Sequence, residues 1–398
     1  MAQVIAVPYV NLYTAVVTQR YFAFILNPAD FTLSLNSSVD GSGATWSWKS
    51  LGSPASGLLS TASATAYFSG KLAADGSAIN YFNVFVIAKD GNLWLISSTD
   101  DGATWGSWKD QGAPAGGIAG APDVVSRQSV HGGFEIDVYC QVIGFDGHLH
   151  VNYSQNAGGS WNWADRGKPA SASLLPGRTG SIPYFDGTRQ SLYAFAVGSD
   201  NHLYANSGDL TTWGWQDLGQ PSASVSVPSV APETVTFLYD VSKKTSPEAI
   251  YVFVLGSDNH LYACYSLGGG AGWTWEARGT PASPIQTFFT NALLVSNESA
   301  AAIFTENVFV FAVGDDGNLY ADFTADASLG STAIWSWQNL GAPPEASLVL
   351  TNGAAASSEV EPSLSDVQMF VFASDTSTDV HSLRWDGTKW TWYDQLGP

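Results

Sequence analysis

The segment WGWQDLGQP at residues 213–221 returns six more times along the chain, as TWSWKSLGSP at 45–54, TWGSWKDQGAP at 104–114, WNWADRGKP at 161–169, WTWEARGTP at 273–281, WSWQNLGAP at 335–343 and WTWYDQLGP at 390–398. The second tryptophan of each pair stands at Trp48, Trp108, Trp163, Trp215, Trp275, Trp337 and Trp392, giving a period of 52 to 62 residues. Of the 16 tryptophans only Trp94 and Trp385 lie outside these pairs, so the repeat organises the whole chain. A fixed period of this length marks one structural unit repeated in tandem.

Upstream of each pair lies an alternating apolar run, a polar turn and a second alternating run, as in SLYAFAVGSDNHLYANS from Ser191 and NVFVFAVGDDGNLYADF from Asn307. Period-two alternation around Asp-Gly or Asp-Asn predicts two antiparallel strands joined by a tight turn, because Gly and Asn tolerate the positive φ such turns need. A looser run ahead of the hairpin and the Trp segment behind it bring each unit to four strands. No helix-period stretch intervenes, so the chain reads as all-β. Radial repetition of such units is the geometry of a propeller blade, which leaves only short sheet edges. The expected fold is a seven-bladed β-propeller of four-stranded antiparallel blades, a single domain over 1–398 with repeats near 1–54, 55–114, 115–169, 170–221, 222–281, 282–343 and 344–398. The first copy is expected to hold its own first strand within residues 2–18.

Composition narrows the partners. Lys and Arg number 15 against 35 Asp and Glu, a formal charge of −20, which disfavours nucleic acid and anionic membranes because both are captured by basic patches. No run approaches the roughly 18 apolar residues that cross a bilayer, so membrane insertion is not expected. The N-terminus, MAQVIAVPYVNLYTAVVTQ, lacks the basic and apolar regions of a signal peptide. The chain reads as soluble, and either extracellular, released without a classical signal, or cytoplasmic. Cys140 and Cys264 sit in alternating apolar runs without CxxC partners and read as buried free thiols.

The second copy carries Ser98-Thr99-Asp100-Asp101-Gly102-Ala103-Thr104-Trp105, the S-x-D-x-G-x-x-W form of an Asp-box turn. Asp100 can accept backbone N–H groups and Gly102 can supply an unusual φ, so both read as structural. Copy three keeps the register from Ser154 to Trp161, and copy five retains Ser266, Gly268, Gly270 and Trp273.

Asp-boxes also occur in sialidases, which bring three arginines to a sugar carboxylate. Here Arg20, Arg127, Arg166, Arg178, Arg189, Arg278 and Arg384 are the whole set, with Arg166 and Arg278 at equivalent repeat positions rather than in a triad. Glu135 and Asp137 could share a strand face, but they occur in one copy only, and a salt-bridge or surface role is the simpler reading. The histidines are His131, His148, His150, His202, His260 and His381; they show no H-E-x-x-H spacing, and three recur in equivalent turns, so no metal centre and no cofactor are expected.

Catalysis uses one constellation, whereas polar and aromatic residues here recur with the repeat, which points to repeated binding. An indole beside Asn, Asp, His and backbone groups suits a sugar, whose C–H face lies on the ring while its hydroxyls find partners. Weak sites of this kind gain by avidity. The expected carbohydrate-binding residues are the first tryptophans, Trp46, Trp105, Trp161, Trp213, Trp273, Trp335 and Trp390, with the turn residues Asn92, His148, His202, His260 and Asn318. The second tryptophans read as inter-blade wedges.

The pattern D-[GN]-[NH]-L followed by W-x-W-x-x-x-G-x-P, as in Trp161, Trp163, Gly167 and Pro169, resembles the seven-bladed propeller lectins of the Photorhabdus type over essentially the whole chain. The resemblance implies several inter-blade pockets for fucose and related sugars, fucosylated glycans on glycoproteins or cell surfaces as partners, and subunit association as a way to multiply sites. The polar turn departs from the pattern in the first copy, at Asn27-Pro28-Ala29-Asp30, and in the seventh, at 375–379. The residue two after the second Trp is Asp110, Asp165, Asp217 or Asp394 in four copies, but Asn339, Ser50 or Ala277 in the others, so occupancy is expected to differ between blades. Two alternatives stand beside the lectin: a cofactor-free or metal-dependent enzyme using Glu135, Asp137, Glu248 or Glu306 in the central channel, and a protein-interaction scaffold using loops near Lys71–Ser77 and Val241–Glu248.

Overall fold

The computed structural model describes residues 2–11, 13–14, 16–27, 30–38, 45–129, 135–185, 190–208, 212–228, 231–238, 248–298, 304–344, 350–358, 369–375, 380–385 and 389–394. Seven four-stranded antiparallel sheets follow one another, over 2–52, 63–110, 123–165, 180–219, 233–279, 285–341 and 350–394, each a simple meander in chain order. The fold is a seven-bladed β-propeller. Each sheet lies within one Trp-marked repeat, and blade 1 contributes its own first strand, Ala2–Asn11.

The residues form two compact units. Residues 1–167 with 397–398 hold blades 1 to 3, and residues 168–396 hold blades 4 to 7. Within each unit the apolar residues of adjacent blades merge. Phe24 and Leu35 of blade 1 pack with Val84 and Phe82 of blade 2, and Phe85 and Leu95 of blade 2 with Val138 and Cys140 of blade 3. In the second unit Phe195, Val252 and Cys264 share one cluster, Phe253, Val308 and Val310 the next, and Phe311, Val371 and Leu383 the last.

Burial follows strand position. The second strand of blade 5, Glu248–Leu255, is buried at every residue after the first, being covered on both faces, whereas the fourth strand of blade 4, Trp213–Gly219, alternates half-buried tryptophans with exposed residues. Both cysteines are buried free thiols, and burial pushes both thiols well above the usual range. Among the described residues no helix is long and apolar enough to cross a membrane.

The hairpin turns adopt the conformation their sequence requires. Gly91, Gly147, Asn201, Asn259 and Gly317 have φ between 61° and 82°, and Asp90, Asp146, Asp200, Asp258 and Asp316 each accept the amide N–H two residues on at 3.0–3.2 Å. The corresponding turns of the first and seventh copies lie partly outside the described residues, at 28–29 and 376–379.

Candidate functional site: the inter-blade junctions

The paired tryptophans occupy different places in the junction. Within each unit the second indole donates its N–H across to the fourth-strand segment of the preceding blade: Trp108 to Leu51 O, Trp163 to Gln111 O, Trp275 to Leu218 O, Trp337 to Arg278 O and Trp392 to Leu340 O, at 2.7–3.0 Å. Five of the first indoles meet a phenylalanine on the second strand of the preceding blade of the same unit. Trp105 on Phe24, Trp161 on Phe85, Trp273 on Phe195, Trp335 on Phe253 and Trp390 on Phe311 have centroids 5.2–6.0 Å apart and interplanar angles of 64–82°. Edge-to-face pairs of this kind contribute roughly 0.5–1.5 kcal/mol beyond burial. Trp46 lies near Tyr21 of its own blade, with centroids 6.3 Å apart. Trp48, Trp213 and Trp215 are half-buried like the others.

The Asp-box turns just before the first tryptophans are held by local hydrogen bonds. Asp100 accepts from Ser98 Oγ at 2.8 Å, from the Thr104 amide at 2.9 Å and from Thr104 Oγ1 at 2.5 Å, while the Trp105 indole donates to Gly102 O at 2.9 Å. Burial tends to raise the Asp100 pKa, but the bonds from Thr104 and Ser98 outweigh it and leave the carboxyl below its usual range. Asn156 repeats the arrangement in blade 3, accepting from Ser154 Oγ and the Ser160 amide at 2.9 Å.

The structure separates the two groups of sugar-binding candidates. In blade 4, Trp213 pairs with Gly208 and Gly219 with Leu203, so Trp213 lies at one end of the strand pair and the His202 turn at the other. Six residues of strand between them span about 20 Å. The five turn residues instead interact within their own end. His148 Nδ1 lies 3.0 Å from Asp165, His202 Nδ1 lies 3.1 Å from Asp217, and Asn92 donates to Asp110 at 3.1 Å. His260, facing Ala277 rather than an acid, turns to Asp258 at 3.4 Å, and Asn318 donates to Asp316 at 2.8 Å.

The residue two after the second Trp also has local work. Asp110, Asp165, Asp217 and Asn339 each accept the amide N–H of the glycine two residues later at 2.7 Å, and Ser50 does so at 3.2 Å. Those glycines, Gly112, Gly167, Gly219, Gly341 and Gly52, have φ of 67–75°.

Of the acids considered for a channel enzyme, Asp137, Glu248 and Glu306 are engaged or buried. Asp137 pairs with Arg127 at 2.5 Å and accepts from Tyr139 at 3.2 Å. Glu248 accepts the Phe185 amide at 2.7 Å, and burial raises its pKa. Glu306 is buried, and Glu135 opens the strand Glu135–Ile143.

The junction of blades 5 and 6 has a polar lining that the motif reading missed. Arg278 bonds Glu276 on the same strand, and its guanidinium carbon lies 4.7 Å from the ring centre of Trp335. Asp322, 1% exposed, is electrostatically coupled to both. Among the described residues, Glu276 Oε2, Arg278 Nη1, both Asp322 carboxylate oxygens and Trp335 Nε1 are buried without hydrogen-bond partners. Burial pushes Asp322 up to about 7, against the attraction of Arg278 and with Glu276 adding repulsion. The Glu276 side chain keeps 25% exposure, so the cluster reaches solvent. Buried polar groups are normally paired, and a concentration of unpaired ones beside a half-buried indole is a place where water or a ligand completes the set. The equivalent positions vary: blade 4 has Gln216, which accepts the Trp273 indole N–H at 3.3 Å, and blade 1 has Lys49, which donates to Ala103 O at 3.0 Å.

No protein-family model matches this chain, and no curated protein matches it. Among solved structures, the seven-bladed propeller fold aligns with BP39L lectin from Burkholderia pseudomallei at a TM-score of 0.69 and 18% identity, over 100% of this chain and 98% of that one. AofleA from Arthrobotrys oligospora aligns at a TM-score of 0.50 and 14% identity, over 87% of this chain and 92% of that one. At these identities the likeness is one of fold.

Proposed function

We propose that this protein is a non-catalytic lectin that binds neutral sugars, fucose or its relatives, in several inter-blade junctions, with the junction of blades 5 and 6 the best equipped. The observation that carries this reading is the set of partnerless buried polar atoms on Glu276, Arg278, Asp322 and Trp335 beside a half-buried indole. A guanidinium donates to sugar hydroxyl oxygens, carboxylates accept from sugar hydroxyls, and an indole covers an apolar C–H face. The fold likeness to BP39L lectin and the Trp-repeat resemblance support the same reading. Fucosylated glycans displayed on glycoproteins or cell surfaces are the proposed partners, reached outside the cell, and association of subunits would add to the avidity.

The test is a glycan array at neutral pH without added metal, followed by calorimetry with α-methyl fucoside for wild type, Trp335→Ala and Arg278→Ala, each checked for folding. Saturable binding that falls at least tenfold in both variants supports the site. Folded wild type that binds nothing on a fucose- and galactose-rich array refutes the lectin, and binding unaltered in both variants moves it to other junctions.

A further inference from the structure

Blade 3 breaks the repeat at one chemically important position. Four residues after the turn aspartate, blades 4, 5 and 6 carry Tyr204, Tyr262 and Tyr320, whose hydroxyls donate to Asp200, Asp258 and Asp316 at 2.6–2.8 Å, and blade 2 carries Trp94, whose indole points to Asp90. In blade 3 this residue is His150, 4% exposed, with Nε2 3.2 Å from both oxygens of Asp146. His148 arrives from the turn, and the two imidazoles stack with centroids 6.0 Å apart and an interplanar angle of 23°. One ligand atom from each of Asp146, His148 and His150 lies within 4.8 Å of the other two. Asp165 stands behind them, 3.0 Å from His148 Nδ1 and 4.0 Å from His150 Nδ1.

We propose that Asp146, His148 and His150 bind one divalent transition-metal ion of the zinc or copper class. Two imidazole nitrogens with one carboxylate suit these ions, whereas calcium and magnesium prefer all-oxygen sets. The contact of Asp165 with His148 is the outer-shell carboxylate that orients a metal-binding imidazole. His148 and Asp146 retain 30% and 35% side-chain exposure, so an ion can enter from solvent and keep water in its remaining positions. The strong net negative charge of the chain favours cation capture generally. Blade 4 supplies the internal comparison: it has the same imidazole–carboxylate pair in His202 and Asp217, but Tyr204 replaces the second imidazole. The site uses the turn residues of blade 3 and shares no residue with the proposed lectin site of blades 5 and 6, so the two readings stand or fall separately.

The experiment is calorimetric titration of untagged, chelator-treated full-length protein with zinc chloride, paired with electron paramagnetic resonance after one equivalent of copper(II). The variants are His150→Tyr, which installs the residue of blades 4 to 6, and His148→Asn, which installs the turn residue of blades 2 and 6. The expected result is one ion per chain with nitrogen coupling in the copper spectrum, and affinity at least 100-fold weaker in His150→Tyr with glycan binding unchanged. Absence of zinc or copper binding by folded wild type overturns the proposal. So does stoichiometric binding that persists in both variants, which would assign the ion to other histidines.

Discussion

Replacing Asp322 with asparagine should make the protein more stable at neutral pH while removing part of its pH dependence. The position faces the second tryptophan in the last strand pair, Asp322 opposite Trp337, and the same place is held by Asn36, Asn152 and Asn206 in blades 1, 3 and 4. Asparagine therefore fits the site's shape. Burial holds the carboxyl at about 7 in the folded protein, against an ordinary value of 3.8. Because the folded state binds the proton more tightly, the group contributes its full stability below about pH 4 and loses it as pH rises to about 7. At about 1.4 kcal/mol per tenfold change in protonation, the loss between pH 5 and pH 8 is on the order of 3 kcal/mol, and asparagine avoids it.

Differential scanning calorimetry of wild type and Asp322→Asn at pH 5 and pH 8, at one scan rate, reads this directly. For a unit of this size each kcal/mol moves the midpoint by about 2–4 °C. The variant should therefore gain roughly 6–12 °C on wild type between the two pH values. Parallel curves, or a variant less stable than wild type at pH 8, would mean that the Asp322 carboxylate is solvated or paired with Arg278 and would refute the reasoning.

Further substitutions probe the frame. Gly270→Ala should cost about 2–4 kcal/mol, since Gly270 has φ +87° and an added Cβ would fall 1.9 Å from Tyr193 Oη; adding Tyr193→Phe should restore part of the melting temperature, and no recovery would rule out the hydroxyl clash. Asp100→Ala should cost about 1–3 kcal/mol by leaving the Thr104 amide and hydroxyl unpaired, whereas Asp100→Asn, which copies Asn156, should be nearly neutral at pH 7 by thermal melt. Asp100 is held low, so its contribution is present above the usual aspartate range and lost as pH falls through the lowered value; acid titration of the melting temperature should show this slope flattened in Asp100→Asn. Trp275→Phe removes the indole bond to Leu218 O and should lower stability by about 1 kcal/mol, with retention of the wild-type midpoint arguing against the inter-blade bond.

The frame was legible because its determinants are local and repeated. Trp pairs mark the fourth strands, and Asp-Gly or Asp-Asn marks turns whose positive φ at Gly91 and Asn201 only such residues adopt freely. The arrangement of the candidate sugar residues was not legible, because proximity along the chain does not say which end of a strand pair a side chain occupies. Trp213 and His202 are 11 residues apart in sequence but at opposite ends of one hairpin. The cluster of Glu276, Arg278, Asp322 and Trp335 was missed because it forms across a junction, from strands of two blades. Its only sequence signal is the WEAR spelling where the other copies carry Lys, Gln, Ala or Tyr after the second Trp. His150 was hidden differently, as one letter changed in the strand that follows an otherwise regular turn.

These departures are informative because the frame around them is constant. The residue after the second Trp is Lys49, Lys109, Ala164, Gln216, Glu276, Gln338 or Tyr393 at equivalent strand positions, so the blades present similar sockets with different linings. At the junction of blades 5 and 6 one guanidinium stands among two carboxyl groups, so the socket carries no excess positive charge even with Asp322 protonated. An acidic sugar would bring a further negative charge into a partly dry site with nothing to balance it, at a cost set by the low local dielectric. A neutral sugar brings hydroxyls that can both donate and accept, which matches the mixture of unpaired N–H groups and carboxylate oxygens there. If this junction binds a sugar as proposed, its charge balance should disfavour sialic acid and favour neutral hydroxyl-rich ligands, and a sialylated glycan bound there as tightly as a neutral one would refute that argument.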